Sequence, residues 1–306
     1  MQVNIFVKQS LSSLSAAYRY FTVSSAIQMS HHRDGPQGQG DDPKIGFTPS
    51  LASWQEFLKT PLVLEGPVLD RTNFPPGLPF PPRAFRRSDE EGDAEFYSFP
   101  RINVHHIDED ATERLERWYA DFCDINKPRV VVDLAASWIS HLPQSHRPER
   151  FLGVGLNLEE LEANPLLDEI YVADLNRTPD ALQSEMKLQD DSVDLIKMDL
   201  SIDYMVKPVH LLHSILKTLR PGGAFACSFS NRMFATKVIE MWMYGDCSDR
   251  AKIVSAYFHY AGFGRIEVHS LPPVAGQGDP LNIIVGFKMD GPSWPIGWVK
   301  ECRNKL

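Results

Sequence analysis

Polar side chains follow the short apolar, β-branched runs of this chain, at the points where such runs would end as strands. The residues after four such runs are Asp133, Asn157, Asp174 and Ser201. In a sheet of parallel strands the carboxyl ends share one edge, and ligands bind outside that edge. The carboxylate, amide and hydroxyl groups there can orient a small ligand by hydrogen bonds. The sequence therefore predicts a ligand site built from residues that follow strands.

A second group of side chains is suited to proton transfer. The candidates are His106, His141 and Asp203. A histidine changes its charge near neutral pH, and a nearby carboxylate such as Asp108 can orient the ring of His106 and raise its pKa. Most histidines in proteins are ordinary surface or core residues. The two histidines and Asp203 are therefore named only as candidates for a proton acceptor. No metal site is predicted, because the histidine pair at 210 and 213 has no third ligand nearby.

Composition excludes several classes of protein. The chain has 306 residues, of which 43% are hydrophobic and 23% are charged, so it can bury a sizeable core. Its formal net charge of -9 has the wrong sign for a protein that binds phosphate backbones over a broad surface, so no nucleic-acid partner is expected. Four well-separated cysteines indicate reduced thiols. No run approaches the roughly 18 apolar residues of a membrane span.

The chain begins with two segments of unusual composition. Residues 1–33 lack acidic residues and are rich in serine, which is typical of a transit peptide for a mitochondrion or plastid; a disordered leader of a cytoplasmic protein is the alternative. The glycine and proline content of residues 34–48 predicts a flexible join. The segment 49–109 is rich in proline and aromatic residues, so we expect little continuous secondary structure and packing across the main domain. A proline-motif ligand for a partner is the other interpretation.

Helix-like and strand-like stretches alternate from residue 110 onward. An amphipathic helix begins at Asp110, and a second one runs from Pro208 to the turn at 220–223. Strand-like runs lie between them, and two further runs near 265–270 and 282–289 can close the sheet as a pair. The pattern predicts an α/β fold over 110–290: a doubly wound, mainly parallel seven-stranded sheet, Rossmann-like, with residues 291–306 as a tail.

Several motifs, in their order and spacing, resemble one family. They are DLAASW at 133–138, GVGLN at 153–157, DLN at 174–176, LSIDY at 200–204, LRPGG at 219–223 and SFSNR at 228–232. Together they resemble class I S-adenosylmethionine-dependent methyltransferases of the type 11-like group, most closely a plant, algal and microbial branch with a glycine-poor first motif. The resemblance covers roughly residues 96–288.

The resemblance implies S-adenosylmethionine as the cofactor and names the residues that would hold it. They are Asp133, Ala135, Ser137, Asn157, Asp174, Leu175 and Ser201. Two features depart from the family pattern. Ala135 and Ser137 occupy positions that are glycine in the usual D-x-G-x-G turn, and Asn157 stands where many members place a carboxylate for the ribose. Glu159 or Glu160 can substitute for that carboxylate if the loop folds back.

The resemblance implies transfer of a methyl group to a small-molecule or protein acceptor. Methylation of a nucleic-acid base is disfavoured, because Ser201 and the three residues after it replace the D-P-P-Y type of motif. The alternative is an inactive methyltransferase-fold protein that serves as a binding or assembly partner, since both departures fall on the cofactor site. A dehydrogenase is disfavoured, because no G-x-G-x-x-G motif opens a helix.

Overall fold

The computed structural model describes residues 51–90, 92–273, 276 and 278–289. The expectations for the leader 1–48 and the tail 291–306 lie outside the described residues and stay predictions. In the described part of the chain, no helix is both long enough and apolar enough to span a membrane.

The centre of the fold is one mixed sheet. Its strands are β1 (Val63–Glu65), β2 (Val68–Asp70), β3 (Val130–Leu134), β4 (Arg150–Gly155), β5 (Glu169–Val172), β6 (Val193–Asp199), β7 (Leu219–Ser230), β8 (Arg265–Leu271) and β9 (Leu281–Phe287), in the order β1-β2-β8-β9-β7-β6-β3-β4-β5. Strands β7, β6, β3, β4 and β5 pair with one another in parallel, whereas β9 pairs with both β7 and β8 in antiparallel fashion. The prediction of a mainly parallel, seven-stranded sheet is wrong on both points, because the described sheet has nine strands and pairs β1 with β2, β2 with β8, β8 with β9 and β9 with β7 in antiparallel fashion.

The two additional strands come from the proline-rich extension. Strands β1 and β2 form an antiparallel hairpin around Gly66, whose φ of +59° suits a tight turn, and β2 pairs with β8. A nine-residue helix, α1 (Leu51–Lys59), precedes the hairpin. The expectation of little secondary structure fails here because the prolines concentrate at 75–82, which leaves most amides of α1 and the hairpin free to donate.

The extension contacts the main sheet domain through aromatic rings and backbone groups. The ring of Phe80 packs edge-on against Tyr257 with centroids 6.2 Å apart, and the Tyr260 hydroxyl donates to the carbonyl of Pro75 at 2.7 Å. Both tyrosines belong to helix α8 (Cys247–Ala261). Between the hairpin and the third strand lies a one-turn helix, α2 (Asp93–Phe96).

Helices cover both faces of the sheet. They are α3 (Glu109–Asn126), α4 (Leu158–Glu162), α5 (Ala181–Ser184), α6 (Pro208–Thr218), α7 (Glu240–Met243) and α8. Neighbouring residues of a strand point to opposite faces, so Val131 packs in the cluster that contains α3, whereas Val132 packs in the cluster that contains α6 and α8. Helix α3 begins after Asp108, whose side chain accepts the N–H of Ala111, and not at the predicted capping residue Asp110.

The strand order reverses direction at β3. From β3 the chain proceeds to β4 and β5 on one side, and then returns to β6 on the other side. The crossover connections diverge at such a point and leave a crevice outside the carboxyl ends of the strands. Asp133 and the first turn therefore lie at the crevice.

Candidate functional site

A cavity opens at the carboxyl edge of β3, β4, β5 and β6. The volume in which the centre of a water molecule can lie is about 150 Å³, which is several times the volume that one water molecule requires. All seven residues that the resemblance names for the cofactor line it: Asp133, Ala135, Ser137, Asn157, Asp174, Leu175 and Ser201. The structure thus brings these residues together, and their role in binding stays a prediction.

The first turn keeps the backbone path of a glycine-rich turn although it lacks glycine. Ala135 has a φ of +53°, in the left-handed region that favours glycine. The N–H of Ala136 then donates to the carbonyl of Val154 at 2.9 Å, which holds the turn against β4. A Cβ on Gly155 would lie 2.2 Å from the Ala136 oxygen, so this close approach requires glycine at 155. The glycine that the turn needs is therefore on β4.

Several residues of the cavity wall have a strained backbone. Three cavity-lining residues other than glycine have positive φ: Ala135, His141 at +51° and Leu200 at +54°. Each such residue costs of order 1–3 kcal/mol and persists only where the surrounding structure holds it. Strain of this kind clusters at ligand sites, so its location agrees with the cavity being functional.

The left-handed conformation of Ala135 makes a testable prediction about stability. We expect Ala135→Gly to raise the free energy of unfolding by roughly 0.5–1 kcal/mol, because the strain of the Cβ exceeds the entropy cost of glycine. Ala136→Gly is the control, since Ala136 is buried and is not among the residues with positive φ. Urea unfolding of both variants measures the difference. If both variants lost the same free energy of unfolding, Ala135 would not have a strained backbone that glycine relieves.

Polar side chains from α4 and its flanks brace the turn. The Ser137 hydroxyl donates to Glu160 at 2.5 Å, and the other carboxylate oxygen of Glu160 accepts the N–H of Arg101 at 2.6 Å. The amide of Asn164 donates to the carbonyl of Ser137 at 2.8 Å. Glu160 is 7% exposed and lines the cavity, so a carboxylate is present near the position predicted for the ribose.

Asn157 is already engaged at the end of β4. Its side-chain oxygen accepts the N–H of Glu160 at 3.1 Å and caps α4, while its amide donates to the carbonyl of Tyr97 at 3.0 Å. Asn157 therefore joins the extension to the sheet edge. Of the two residues, Glu160 carries the negative charge that charge-assisted binding of hydroxyl groups needs.

The far end of the cavity is formed after β5 and β6. One carboxylate oxygen of Asp174 accepts the N–H groups of Asn176 at 2.9 Å and Arg177 at 3.3 Å, which fixes the side chain at the cavity wall. Leu175 beside it is buried. The Ser201 hydroxyl donates to the carbonyl of Asp199 at 2.9 Å.

The cavity floor contains a buried ion-pair cluster. Lys197, which is 1% exposed, pairs with Asp133 at 3.0 Å and with Asp199 at 2.6 Å. The Tyr119 hydroxyl donates to Asp199 at 2.9 Å. Burial raises the pKa of Asp133, whereas at Asp199 the effect of burial is outweighed by Lys197 and His141, which lower its pKa. We will refer to Asp133, Lys197 and Asp199 as the floor cluster.

Two of the three proton-transfer candidates line the cavity. His106 and His141 both do so, and burial lowers the pKa of each to about 4. Both imidazoles are therefore neutral at pH 7. Asp203 does not line the cavity; it is 3% exposed, and burial raises its pKa to about 7. Asp108 is the carboxylate that the sequence predicts beside His106. It caps α3 and accepts the N–H of Asp279 at 2.6 Å, and the predicted rise in the pKa of His106 is not found.

Residues 93–106, which we call the roof segment, cross the mouth of the cavity. Asp93 accepts from the side chain of Asn176 after β5, and Tyr97 accepts from Asn157 after β4. The carbonyl of Val104 accepts from the indole of Trp138, whose ring packs against His105 with centroids 5.0 Å apart. Trp138 therefore contacts the roof segment and also lines the cavity.

Sequence reasoning missed several charged residues of the cavity, among them Asp93, Arg101, Lys197 and Asp199. Lys197 has a detectable signal, because it is the one charged residue in the run 195–198 of a strand that is covered on both faces. Arg101 has none, since it lies in an irregular segment whose position depends on contacts with distant residues such as Glu160. No group of three potential metal ligands was found among the described residues.

Comparison with solved structures finds methyltransferases. An S-adenosylmethionine-dependent methyltransferase from Mesorhizobium loti is 17% identical, with 52% of this chain and 90% of that chain covered and a TM-score of 0.37. One from Archaeoglobus fulgidus is 11% identical, with 58% and 93% covered and a TM-score of 0.44. Phosphoethanolamine N-methyltransferase 2 from Haemonchus contortus, in complex with S-adenosyl-L-methionine, is 14% identical, with 57% and 53% covered and a TM-score of 0.39.

No protein-family model matches the sequence, and no curated protein is significantly similar to it.

Proposed function

We propose that this protein is an S-adenosylmethionine-dependent methyltransferase that acts on a small molecule. The observation that carries the proposal is the first turn: Ala135 takes the left-handed conformation of the missing glycine, and the turn opens onto the cavity that the other predicted cofactor residues line. The roof segment favours a small acceptor, because it crosses the cavity mouth and leaves a large partner little access. A protein acceptor is the less favoured option.

The residues of the cavity fit the proposed cofactor. The cofactor carries ribose hydroxyls and an adenine amino group, and the carboxylates of Glu160 and Asp174 in the cavity wall can accept hydrogen bonds from such donors. Asp174 and Leu175 would hold the adenine, Glu160 with Asn157 would contact the ribose, and the turn at 135–137 would receive the methionine part. When bound, S-adenosylmethionine supplies an electrophilic methyl group for in-line displacement.

The protein's own contribution is alignment and the exclusion of water. A proton acceptor works best when its pKa lies near the working pH, and the pKa of about 4 makes His106 and His141 weak bases at pH 7. Each neutral ring can still accept a hydrogen bond from an acceptor hydroxyl or amine and orient it. Holding two reactants in the geometry of attack by itself accelerates a reaction greatly.

Calorimetric titration with S-adenosylhomocysteine tests the proposal. We expect saturable one-to-one binding to the wild type and a loss of about tenfold or more in affinity in Asp174→Ala, because a charge-assisted hydrogen bond is lost. Asp190→Ala is the matched control, since that carboxylate is 55% exposed and pairs with Lys217 on the surface. The control should bind like the wild type.

The opposite result would favour the alternative function. Absence of binding to the folded wild type would identify a methyltransferase-fold protein without its cofactor, which serves as a binding or assembly partner. Equal affinity in Asp174→Ala and Asp190→Ala would refute the proposed adenine position while leaving cofactor binding intact.

A further inference from the structure

Arg101 is a cation in the cavity wall that pairs with no acidic side chain in the part of the chain that the structure describes. The Arg101 guanidinium carbon lies 5.0 Å from the ring centroid of Phe96, 4.9 Å from that of Tyr97 and 5.6 Å from that of Phe234. Its Nη2 donates to the carbonyl of Phe96 at 2.8 Å. Its Nη1 is buried and has no hydrogen-bond partner among the described residues. A buried charged donor without a partner is costly, so a ligand that accepts from it is favoured.

The other cations that line the cavity are already neutralised by carboxylates. Lys197 belongs to the floor cluster, and Arg232 donates to Asp279 at 2.7 Å. Asp93, which also lines the cavity, pairs with Arg87 at 2.8 Å. Arg101 is thus the cavity cation for which the described residues provide no ion pair.

The position of the guanidinium indicates the acceptor side of the cavity. The backbone of Arg101 is anchored on Glu160, after β4, but its guanidinium reaches the ring of Phe234, which follows β7. The proposed adenine position at Asp174 follows β5, on the opposite side of β6 and β3. The cation and the three aromatic rings therefore lie where a methyl acceptor would enter.

We propose that the methyl acceptor is a small aromatic or apolar carboxylate, and that Arg101 binds its carboxylate group. This inference rests on the proposed function. One arginine without an acidic partner matches the single charge of a carboxylate, whereas a phosphate dianion would need more cationic groups. The rings of Phe234 and Tyr97 then contact the apolar body of the acceptor.

Matched pairs of probes test the proposal in the full-length protein with saturating S-adenosylhomocysteine. The pairs are benzoate with benzamide, and hexanoate with hexanamide, which differ mainly in charge. We expect at least one carboxylate to bind about tenfold more tightly than its amide in calorimetry, and Arg101→Met to remove that difference. Arg86→Met is the control, because Arg86 is an exposed residue of the extension outside the cavity.

Three results would overturn the proposal. They are the absence of any preference for the carboxylates, a preference that persists in Arg101→Met, and an effect of Arg101→Met on the cofactor instead. In the last case Arg101→Met would weaken S-adenosylhomocysteine binding but not that of 5′-methylthioadenosine, which lacks the amino-acid part. Failure of the proposed function is separate, since it appears as no binding of S-adenosylhomocysteine to the wild type without any probe.

Discussion

Lys197→Met is expected to lower the free energy of unfolding by about 3–5 kcal/mol, because it leaves two buried carboxylates without their cation. The side chains of Asp133 and Asp199 are only 4% and 8% exposed, so most of the hydration that each carboxylate has in the unfolded chain is not available to replace Lys197. Domains of ordinary stability have about 5–15 kcal/mol in total, so the variant should be close to unfolding at room temperature. Urea unfolding at pH 8 measures the loss.

Comparison with a surface lysine isolates the effect of burial. Lys217 pairs with Asp190 at 3.4 Å with both side chains about half exposed, and Lys217→Met should cost at most about 1 kcal/mol. The loss in Lys197→Met should also shrink as the pH falls from 8 to 5, because without the cation the pKa of each carboxyl rises and protonation then relieves the buried charge. If Lys197→Met lowered the free energy of unfolding no more than Lys217→Met does at both pH values, the floor cluster would not be a buried ion-pair cluster that stabilises the fold.

Gly155→Ala is expected to abolish measurable binding of S-adenosylhomocysteine. The new Cβ would lie 2.2 Å from the carbonyl oxygen of Ala136, which is backbone and has no rotamer by which to move away. The peptide after Ala135 must then shift, and the 2.9 Å hydrogen bond from Ala136 to Val154 is lost with it. We also expect a stability loss of roughly 1–3 kcal/mol from overpacking. Calorimetry and urea unfolding measure the two effects.

The same strand contains the control for this variant. In Gly153→Ala the nearest atom to the new Cβ is the side-chain tip of Leu167, at 2.5 Å, which can rotate or tilt. Gly153→Ala should therefore lose stability without losing cofactor affinity. If both variants bind S-adenosylhomocysteine as the wild type does, the close approach of β4 to the first turn is not what shapes the site.

Much of the α/β core is predictable because its signals are local. The runs at β3, β4 and β6 are mainly apolar, and Pro208 marks the start of one helix. The turn predicted at 220–223 instead lies inside β7, at an irregularity where Gly222 has a φ of +78°. The residues at the strand ends then follow from topology alone. That is why all seven predicted cofactor residues line a single cavity, whichever of them contacts a ligand.

The strands of the extension, and the hydrogen-bond partners of polar side chains in the cavity, cannot be predicted in the same way. The hairpin of β1 and β2 depends on pairing with β8, about 200 residues later in the chain, which no local pattern encodes. Likewise, Asn157 and Ser137 both line the cavity, but local patterns do not show that their side chains hydrogen-bond to Tyr97 and Glu160 within the protein. The sequence also suggests a missing glycine in the first turn, whereas Gly155 on the neighbouring strand provides the close approach.

A crystal structure of the protein grown with S-adenosylhomocysteine is the most direct test of a working cofactor site. We predict that the adenosyl group lies in the cavity beneath the roof segment, with its base beside Asp174 and its amino-acid part against the turn at 135–137. A crystal in which the ligand binds elsewhere, or in which Trp138 and the Ala135 methyl group fill that space at saturating ligand, would contradict it.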